Sequence, residues 1–431
     1  MVSEGPSAAE LIIAGAVPAF VLLILAELVV GVLRRRNTYR ANDAVSSLSL
    51  GITSQLLGVF TAVVGLTGYT FAYERISLVA LPSGAWWAWA LAFVAYDFCY
   101  YWQHRKSHEV NLLWATHVVH HSSEEYNLTT ALRQPSTSFL FGWLFYLPLA
   151  VLGVPPLMFA VTATLNLLYQ FWIHTRQIGR LGRFDRWFAS PSNHRVHHGQ
   201  NDHCLDRNYG GVFMAWDHLF GTFQAERDDE EIRYGIRGAL GSWNPVWANL
   251  HLFAALCRDT MLADTWKDRL GVWFRGPAWR PEAAIRLAPK SPYDPDHFEP
   301  FDPPAGGGRR AYAVLQLGLV LLPAVHFLLF QASASRVEAL GYAAVLVASM
   351  CSIAGILEGR RLFERLELVR LALLALVPQL LGTWFLGVTL EGIARLLFLL
   401  PVLTSAGWLT WILAARASDR VERAPVTASR G

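Results

Sequence analysis

Long apolar runs separated by short polar segments dominate this chain. They cover residues 11–33, 48–72, 86–102, 139–152, 157–172, 312–330, 340–357, 368–390 and 394–413. A helix needs about 20 apolar residues to cross the hydrocarbon core of a bilayer, and most of these runs approach that length. Pro155 and Pro156 separate two of the runs and predict a hairpin that enters the membrane and returns. The pattern predicts an all-α, polytopic integral membrane protein.

Composition agrees with a membrane protein and argues against other classes. Of the 431 residues, 53% are hydrophobic and 16% are charged, and the net charge is +3. Lysine and arginine lie at the ends of the apolar runs rather than in a basic patch, so no nucleic-acid partner is expected. The four cysteines form no CxxC pair, so neither a disulfide framework nor a thiolate metal site is expected.

Basic residues at the ends of the runs predict the orientation. Arg34, Arg35 and Arg36 follow the first run, and Arg105 and Lys106 follow the third. By the positive-inside rule these ends lie in the cytoplasm. His104 and His108, which lie beside Arg105 and Lys106, are therefore expected at the cytoplasmic face. If the source is bacterial, the membrane is the cytoplasmic membrane.

Histidine is concentrated in three short clusters. They contain eight of the 14 histidines: His104 and His108; His117, His120 and His121; and His194, His197 and His198. At this histidine content, roughly 0.01 HxxHH patterns are expected by chance, yet two occur. Positions i, i+3 and i+4 share one face of a helix, so each cluster is expected to direct its imidazoles to one side.

The spacing of the clusters predicts two local features. His108 and His117 are nine residues apart, about half a turn out of phase on a continuous helix, so the chain must bend between them, with Asn111 as the expected place. Before the third cluster, Ser190 and Pro191 have the pattern of an N-cap and a first helical residue.

The clusters predict a metal centre. Neutral imidazole is the commonest metal ligand and suits zinc, copper, iron and nickel. One zinc ion takes three or four ligands, so eight histidines favour two ions. A zinc protease of the HExxH type is excluded, because no histidine follows Glu109 at the required distance.

The residues around the clusters also carry a family pattern. The segments concerned are residues 97–102, 107–109, 114–122, 126–128, 131–134, 169–175, 193–199 and 208–211. They resemble the fatty acid hydroxylase and sterol desaturase superfamily, and most of all its members that cleave ether lipids. The resemblance covers roughly residues 40–280, and the apolar runs after it are similar to that family's layout.

The resemblance implies a non-haem di-iron monooxygenase that uses O2 to hydroxylate a membrane lipid. In the ether-lipid branch the target is the ether-bearing carbon of an alkylglycerol, tetrahydrobiopterin is the reductant, and the products are a fatty aldehyde and glycerol. The eight clustered histidines match the family's iron ligands, and Glu109 matches an acidic residue after its first cluster. No GxGxxG follows a strand and no CxxC could hold a Rieske cluster, so the pterin or another electron donor must come from outside.

Three residues outside the clusters are candidates for the site. His174, at the end of the run 157–172, is a candidate ninth ligand or orienting donor, although a single interfacial histidine is also ordinary. Asp97 shares a helix face with His104 and is predicted to orient that region, the alternative being a hydrogen-bonded structural acid. Glu109 is predicted to orient a ligand or bind the pterin, the alternative being a solvated loop acid.

Other residues receive weaker predictions. Glu124 and Glu125 follow Ser122 and Ser123 in a helix-capping pattern. His218 is given no role. The Trp-rich segment 243–274 is amphipathic enough to lie on the membrane surface.

Two alternative functions and a division into two domains are also predicted. The lipid could instead be a sterol or a fatty acyl chain that is hydroxylated or desaturated. A non-catalytic metal carrier or transporter is also open, although its ligands would lie near the bilayer midplane. A Pro-rich linker over 277–304 predicts a catalytic domain, residues 1–305, and a four-span membrane domain, residues 306–431.

Overall fold

The computed structural model describes residues 8–294 and 297–422, with side chains over 15–294 and 297–415. Within these ranges every regular element is a helix, and the extended pairing is limited to three isolated β-bridges. The predicted all-α fold is confirmed.

The chain packs as two compact units. One is Gly15–Phe301, and the other comprises, within the described ranges, residues 8–14 and 302–422. The helices before residue 302 are α1 (Ala8–Leu33), α2 (Ala41–Ile76), α3 (Trp86–Glu109), α4 (Asn111–Ala115), α5 (Val118–His121), α6 (Leu128–Ala131), α7 (Leu147–Val151), α8 (Pro156–Trp172), α9 (Arg183–Trp187), α10 (Pro191–His197), α11 (Ala215–Phe220), α12 (Pro245–Leu262), α13 (Trp266–Phe274) and α14 (Glu282–Leu287). Those after it are α15 (Gly306–Phe330), α16 (Arg336–Leu357), α17 (Arg361–Leu381) and α18 (Gly392–Glu422).

Five stretches of helix among the described residues are long and apolar enough to cross a membrane. They are Gly15–Leu33, Ala41–Ile76, Gly306–Ser333, Arg336–Leu357 and Gly392–Ala415. Their outward faces carry large apolar side chains, among them Leu22, Val63, Leu322 and Leu400, each more than half exposed. Such faces are stable only against lipid, so the chain is a multi-pass integral membrane protein.

Two predicted helices are wrong in detail. The run 139–152 is not one helical arm: it forms short 3-10 turns at Ser138–Leu140 and Gly142–Tyr146 before α7 begins. Pro148, at the start of α7, has no backbone N–H to continue an earlier helix. The run 368–390 is also broken: α17 ends at Leu381, its C-cap Gly382 adopts the left-handed conformation with φ 69°, and a β-bridge joins Thr383 to Thr389.

The bend predicted between the first two clusters is confirmed. Helix α3 ends at Glu109, Val110 is extended with φ −124°, and α4 starts at Asn111. The backbone N–H of Asn111 donates to the carbonyl of Arg275, and its side-chain amide donates to that of Gly276. The bend is therefore held by the loop that follows α13.

Small and aromatic residues fix α3 against its neighbours. Ala88 and Ala92 are fully buried and allow close helix contact, while Tyr96 stacks on Tyr146 with ring centroids 4.7 Å apart. The same core includes Met158 of α8. This packing holds the C-terminal end of α3 beside the end of α8, where His104 and His174 lie.

Candidate metal centre

Nine histidines come together in two adjoining groups. Within each group the possible ligand atoms lie within 4.8 Å of one another. The first group is His104, His108, His117, His121 and His197, and the second is His120, His174, His194 and His198. The groups adjoin at His121 and His198, whose ring centroids are 4.4 Å apart.

The groups do not coincide with the sequence clusters. His117 and His121 contribute to the first group, whereas His120, which lies between them, contributes to the second. The third cluster divides similarly, with His197 in the first group and His194 and His198 in the second. The expectation that each cluster directs its imidazoles to one side is therefore wrong for both HxxHH patterns. Each of these clusters lies between the two groups and contributes histidines to both.

The spacing of the nitrogens suits metal ligation. The Nε2 atoms are 3.0 Å apart for His174 and His194, 3.2 Å for His194 and His198, and 3.3 Å for both His120–His174 and His117–His121. Two nitrogens each bound to one ion at about 2.1 Å would be about 3.0 Å apart at a right angle and about 3.4 Å at the tetrahedral angle. The separations fall within that interval.

In four of the imidazole rings, a backbone carbonyl determines which nitrogen is left without a proton. The Nδ1 atoms lie 2.9 Å from Tyr209 O for His104, 3.1 Å from Arg133 O for His120, 2.7 Å from Gln170 O for His174 and 2.8 Å from Arg207 O for His197. A carbonyl only accepts, so each Nδ1 carries the proton and each Nε2 presents a lone pair. The Nε2 atoms of His104, His108 and His197 are buried without a hydrogen-bond partner in the described chain. This arrangement is the one that metal-binding imidazoles use.

Burial keeps the rings neutral. It lowers the pKa of His120 to about 4, with the carbonyl of Arg133 opposing and the guanidinium of Arg133 assisting the shift. Burial also lowers the pKa of His194, His197 and His198 well below the usual value, and neighbouring histidines add to the effect. The neutral form is the one that binds metal.

The predicted start of the third cluster's helix is confirmed. The Ser190 hydroxyl accepts from the backbone N–H of Asn193, and Pro191 occupies the first turn of α10. His194 and His197 lie in this helix, and His198 is its C-cap.

Asp97 lies one layer behind the first group. Its Oδ1 accepts from Asn166 Nδ2 and Val212 N, both at 2.8 Å, and its Oδ2 accepts from Phe213 N and Trp216 Nε1, both at 3.0 Å. It thereby anchors the loop after Tyr209, whose carbonyl accepts from His104.

Gly211 makes room for this anchor. A Cβ there would lie 2.8 Å from Tyr100 Cδ1 and 2.9 Å from Asp97 Oδ1, so glycine is needed for the close approach. Asp217 holds the same loop from the other side, accepting from Tyr209 N and Gly210 N, both at 2.8 Å. Asp217 is not among the residues predicted from the sequence.

Arg133 was also missed as a positioning residue. Its side chain is fully buried, its Nε donates to Val119 O at 3.0 Å, and its Nη2 donates to Ser122 Oγ at 3.0 Å. These bonds hold α5 at Val119 and at its C-cap Ser122, and the Arg133 carbonyl accepts from His120. An arginine directly after the apolar Ala131-Leu132 was the available signal.

Glu27 supports His174 in a comparable way. Its Oε1 accepts from the Thr175 hydroxyl at 2.5 Å, and its Oε2 accepts from Leu128 N at 2.8 Å and from the Tyr39 hydroxyl. Thr175 follows His174, so the carboxylate ties α1 to this ligand position. A lone acid in the first apolar run was the sequence signal.

The remaining candidates lie outside the two groups. Glu109 is about one-third exposed and pairs with Arg105 Nε at 2.7 Å and Lys106 Nζ at 2.6 Å. His218 is exposed, with its Nε2 3.0 Å from the carbonyl of Arg186. The capping role expected for Glu124 and Glu125 is wrong.

Arg40 accounts for the two acids instead. Its Nη2 lies 3.2 Å from Glu124 Oε2 and its Nε lies 2.6 Å from Glu125 Oε1. The helix before them ends at His121, and the next helix is capped by Asn127, whose side chain accepts from Thr129 N.

Comparison with known proteins identifies the family. Residues 89–222 match the family model for fatty acid hydroxylase. The chain is 38% identical over 357 residues to alkylglycerol monooxygenase of Homo sapiens, covering 82% of this chain and 80% of the relative. It is 38% identical over 367 residues to alkylglycerol monooxygenase of Danio rerio, covering 84% and 81%.

A bacterial relative is more distant. It is an ornithine lipid hydroxylase of Rhizobium tropici, 34% identical over 195 residues, which covers 42% of this chain and 58% of the relative. No solved structure matches the chain. With these extended matches to the human and zebrafish proteins, the chain belongs to the alkylglycerol monooxygenase family.

Proposed function

We propose that this protein is an iron-dependent lipid monooxygenase that hydroxylates the ether-bearing carbon of alkylglycerols. Two iron ions would be held by the two histidine groups, with His174 as a ninth ligand. Bound iron would supply O2 activation, which the protein's own side chains cannot provide. The names of the human and zebrafish relatives support the substrate.

One relationship carries the metal assignment. Burial lowers the pKa of both His120 and His174, and the Nδ1 of each faces a backbone carbonyl, so each ring is neutral with its proton on Nδ1. Their Nε2 atoms then lie 3.3 Å apart with no proton between them. Two buried lone pairs at that distance repel, and each is also an unsatisfied polar atom, which costs about 1–3 kcal/mol. A cation bound between the two Nε2 atoms would remove the repulsion and would give each nitrogen a bonding partner.

The reaction needs two electrons from outside the chain. One oxygen atom of O2 enters the C–H bond beside the ether oxygen as a hydroxyl, and the other leaves as water after taking up two electrons and two protons. Tetrahydrobiopterin or another external donor supplies the electrons. The hydroxylated ether is a hemiacetal, so its carbon–oxygen bond to glycerol breaks, leaving a fatty aldehyde and glycerol.

The chain's own residues orient the histidines. Carbonyls of Tyr209, Arg133, Gln170 and Arg207 orient four of the imidazoles and make them more basic. Asp97 acts through the Tyr209 loop as a positioning residue. Glu109, partly exposed beside His108, is proposed to bind the pterin.

The domain roles and orientation are part of the same proposal. Residues 1–305 would form the catalytic domain and residues 306–431 an accessory membrane domain. Arg34, Arg35 and Arg36 at the end of α1 favour a cytoplasmic position for that end. The alkyl tail of the substrate would enter from the bilayer.

The test is turnover by the purified full-length protein in lipid nanodiscs. We expect a long-chain monoalkylglycerol, tetrahydrobiopterin and ¹⁸O2 to give fatty aldehyde that retains one ¹⁸O when trapped at once by reduction. Metal analysis should find two iron ions per chain. His194→Ala should abolish turnover, whereas the matched control His218→Ala, outside both groups, should retain it.

Two outcomes would contradict the proposal in different ways. Zinc occupancy with no lipid-dependent O2 uptake would reject the monooxygenase and favour a metal carrier. An intact ether together with hydroxylation of ornithine lipid or a fatty acyl chain would reject alkylglycerol as the substrate and would leave the monooxygenase activity standing. The name of the bacterial relative makes ornithine lipid the first alternative to offer.

A further inference from the structure

One face of α12 is apolar and exposed, although this helix is not among the five candidate membrane spans. At 100° per residue, its seven exposed positions fall within an arc of about 120°. One of them is Arg258, and the other six are apolar: Val246, Trp247, Leu250, Ala254, Cys257 and Met261. An apolar stripe on a helix normally packs on a protein core, but this one faces outward.

Helices α13 and α14 continue the exposed face. The exposed positions of α13 fall within an arc of about 100°. They are Trp266, Lys267, Leu270 and Phe274. Helix α14, which packs against α12, exposes Ile285 and Leu287, each more than half exposed. We call these exposed faces of the three helices the α12–α14 surface.

The α12–α14 surface lies beside the end of a membrane span. Ala248, on the buried side of α12, packs with Leu50 of α2. The first large apolar side chain that α2 exposes is Leu57, and Val63 follows it. Leu50 and Leu57 are about 10 Å apart along the helix axis. The head-group region is about 5–8 Å deep on each side of a bilayer, so α12 packs on α2 close to the level of the head groups.

The side chains of the α12–α14 surface suit the boundary between head groups and acyl chains. Trp247 and Trp266 have amphipathic rings of the kind that is enriched at this depth. Arg258 and Lys267 are exposed at the edges of the apolar stripes, where their cations can reach lipid phosphates. Residues 243–290 contain seven lysines and arginines but only four acids. A second copy of the chain would bring the same net positive charge, whereas phosphates attract it.

We propose that α12, α13 and α14 lie flat in the head-group region of the bilayer, with the α12–α14 surface toward the acyl chains. This placement extends the prediction for residues 243–274 to α14 and specifies the face that meets lipid. Ala248 also packs on Val119 of α5, the helix that carries His120 and His121. The histidine groups are therefore held about one helix diameter, about 10 Å, from the acyl chains.

Quenching of a fluorescent label on α12 tests this placement. Cys257 is exposed, Cys99 and Cys204 are buried, and Cys351→Ser removes the remaining thiol. The full-length protein is labelled at Cys257 and placed in phosphatidylcholine nanodiscs. We expect quenching by lipid that carries a nitroxide near its head group, and about threefold weaker quenching by aqueous acrylamide than at a control position.

The control label is placed in a polar loop. Asp228→Cys in a Cys257→Ser, Cys351→Ser protein puts the label on a side chain that is 89% exposed and lies beside Asp229 and Glu230. Acrylamide should quench this label strongly, and nitroxide lipid should quench it weakly.

Labels along α12 test whether the helix lies flat. Leu250, Cys257 and Met261 all lie in the stripe, and the first and last are about 16 Å apart along the helix axis. Labels attached to a cysteine at each position in turn should be quenched equally by nitroxide lipid. A steady change from Leu250 to Met261 would mean that the helix is inclined to the bilayer, which would overturn the flat placement.

Two other results would overturn contact with lipid. Acrylamide quenching at Cys257 as strong as in the Asp228→Cys control would leave the α12–α14 surface in water. Shielding of Cys257 from both quenchers would mean that protein covers the surface, and two chains per nanodisc would identify a second copy. The label needs neither metal nor turnover, so failure of this placement and failure of the monooxygenase proposal are distinguishable.

Discussion

The Nε2 atoms of His174 and His194 lie 3.0 Å apart, although one residue follows α8 and the other lies in α10. This separation is the shortest among the four Nε2 pairs described above and corresponds to two ligands at a right angle on one ion. His174, an isolated histidine in the sequence, is therefore placed as closely to the second group as the clustered residues are.

His174→Ala should remove metal from the second group. We expect a loss of about one metal ion per chain and at least about a hundredfold fall in turnover, because the group keeps only three imidazoles. Metal analysis and the aldehyde assay measure the two effects, with His218→Ala as control. Full metal content in His174→Ala would limit His174 to a supporting role.

Asp97→Asn should weaken the loop behind the first group. The amide can accept at one position only, so two of the four N–H donors lose their partner, at a cost of about 2–4 kcal/mol. We expect a lower unfolding temperature and a lower metal content. Asp228→Asn, which alters an exposed pair with Arg180, is the control. Normal stability and metal content with lost turnover would instead indicate a direct catalytic role.

Arg133→Lys should destabilise the protein although the charge is kept. A lysine has no fork of donors, so it cannot bond Val119 O and Ser122 Oγ together, and about 3 kcal/mol should be lost from the free energy of unfolding. Metal content should fall as well, because α5 carries His120 and His121. Denaturant unfolding and metal analysis check this. Arg227→Lys, at an exposed pair with Asp229, should change neither quantity.

Glu109→Gln tests the proposed pterin contact. A carboxylate accepts strong hydrogen bonds from the N–H groups of a pterin, and an amide accepts weaker ones. We expect the KM for tetrahydrobiopterin to rise about fivefold, roughly 1 kcal/mol, with metal content unchanged. Steady-state kinetics against pterin concentration measure it, with the exposed Glu282→Gln as control. An unchanged KM would leave Glu109 as a surface ion-pair residue.

The sequence pattern predicted several of the local features that neighbours along the chain decide. The all-α fold, the bend between His108 and His117 and the N-cap at Ser190 follow from hydrophobic length, helical phase and capping chemistry. It failed at run 139–152, where Pro148 breaks the helix, and at Glu124 and Glu125, whose partner is the distant Arg40. The ion pairs with Arg40 depend on which segments meet in the fold. Pro148 acts locally, and its signal was present in the sequence.

By itself, the sequence determined that histidine clusters lie in a membrane protein and that more than one ion was expected. Only the tertiary structure decided how the ligands are shared, because His120 and His121 point to different groups and His174 joins from another helix. The tertiary structure also decided which residues hold the histidine-bearing segments in place. Asp97, Arg133 and Glu27 do so through hydrogen bonds to other segments of the chain. Periodicity along a chain predicts which residues share one face of a helix. A metal site depends on where several helices meet, which periodicity does not predict.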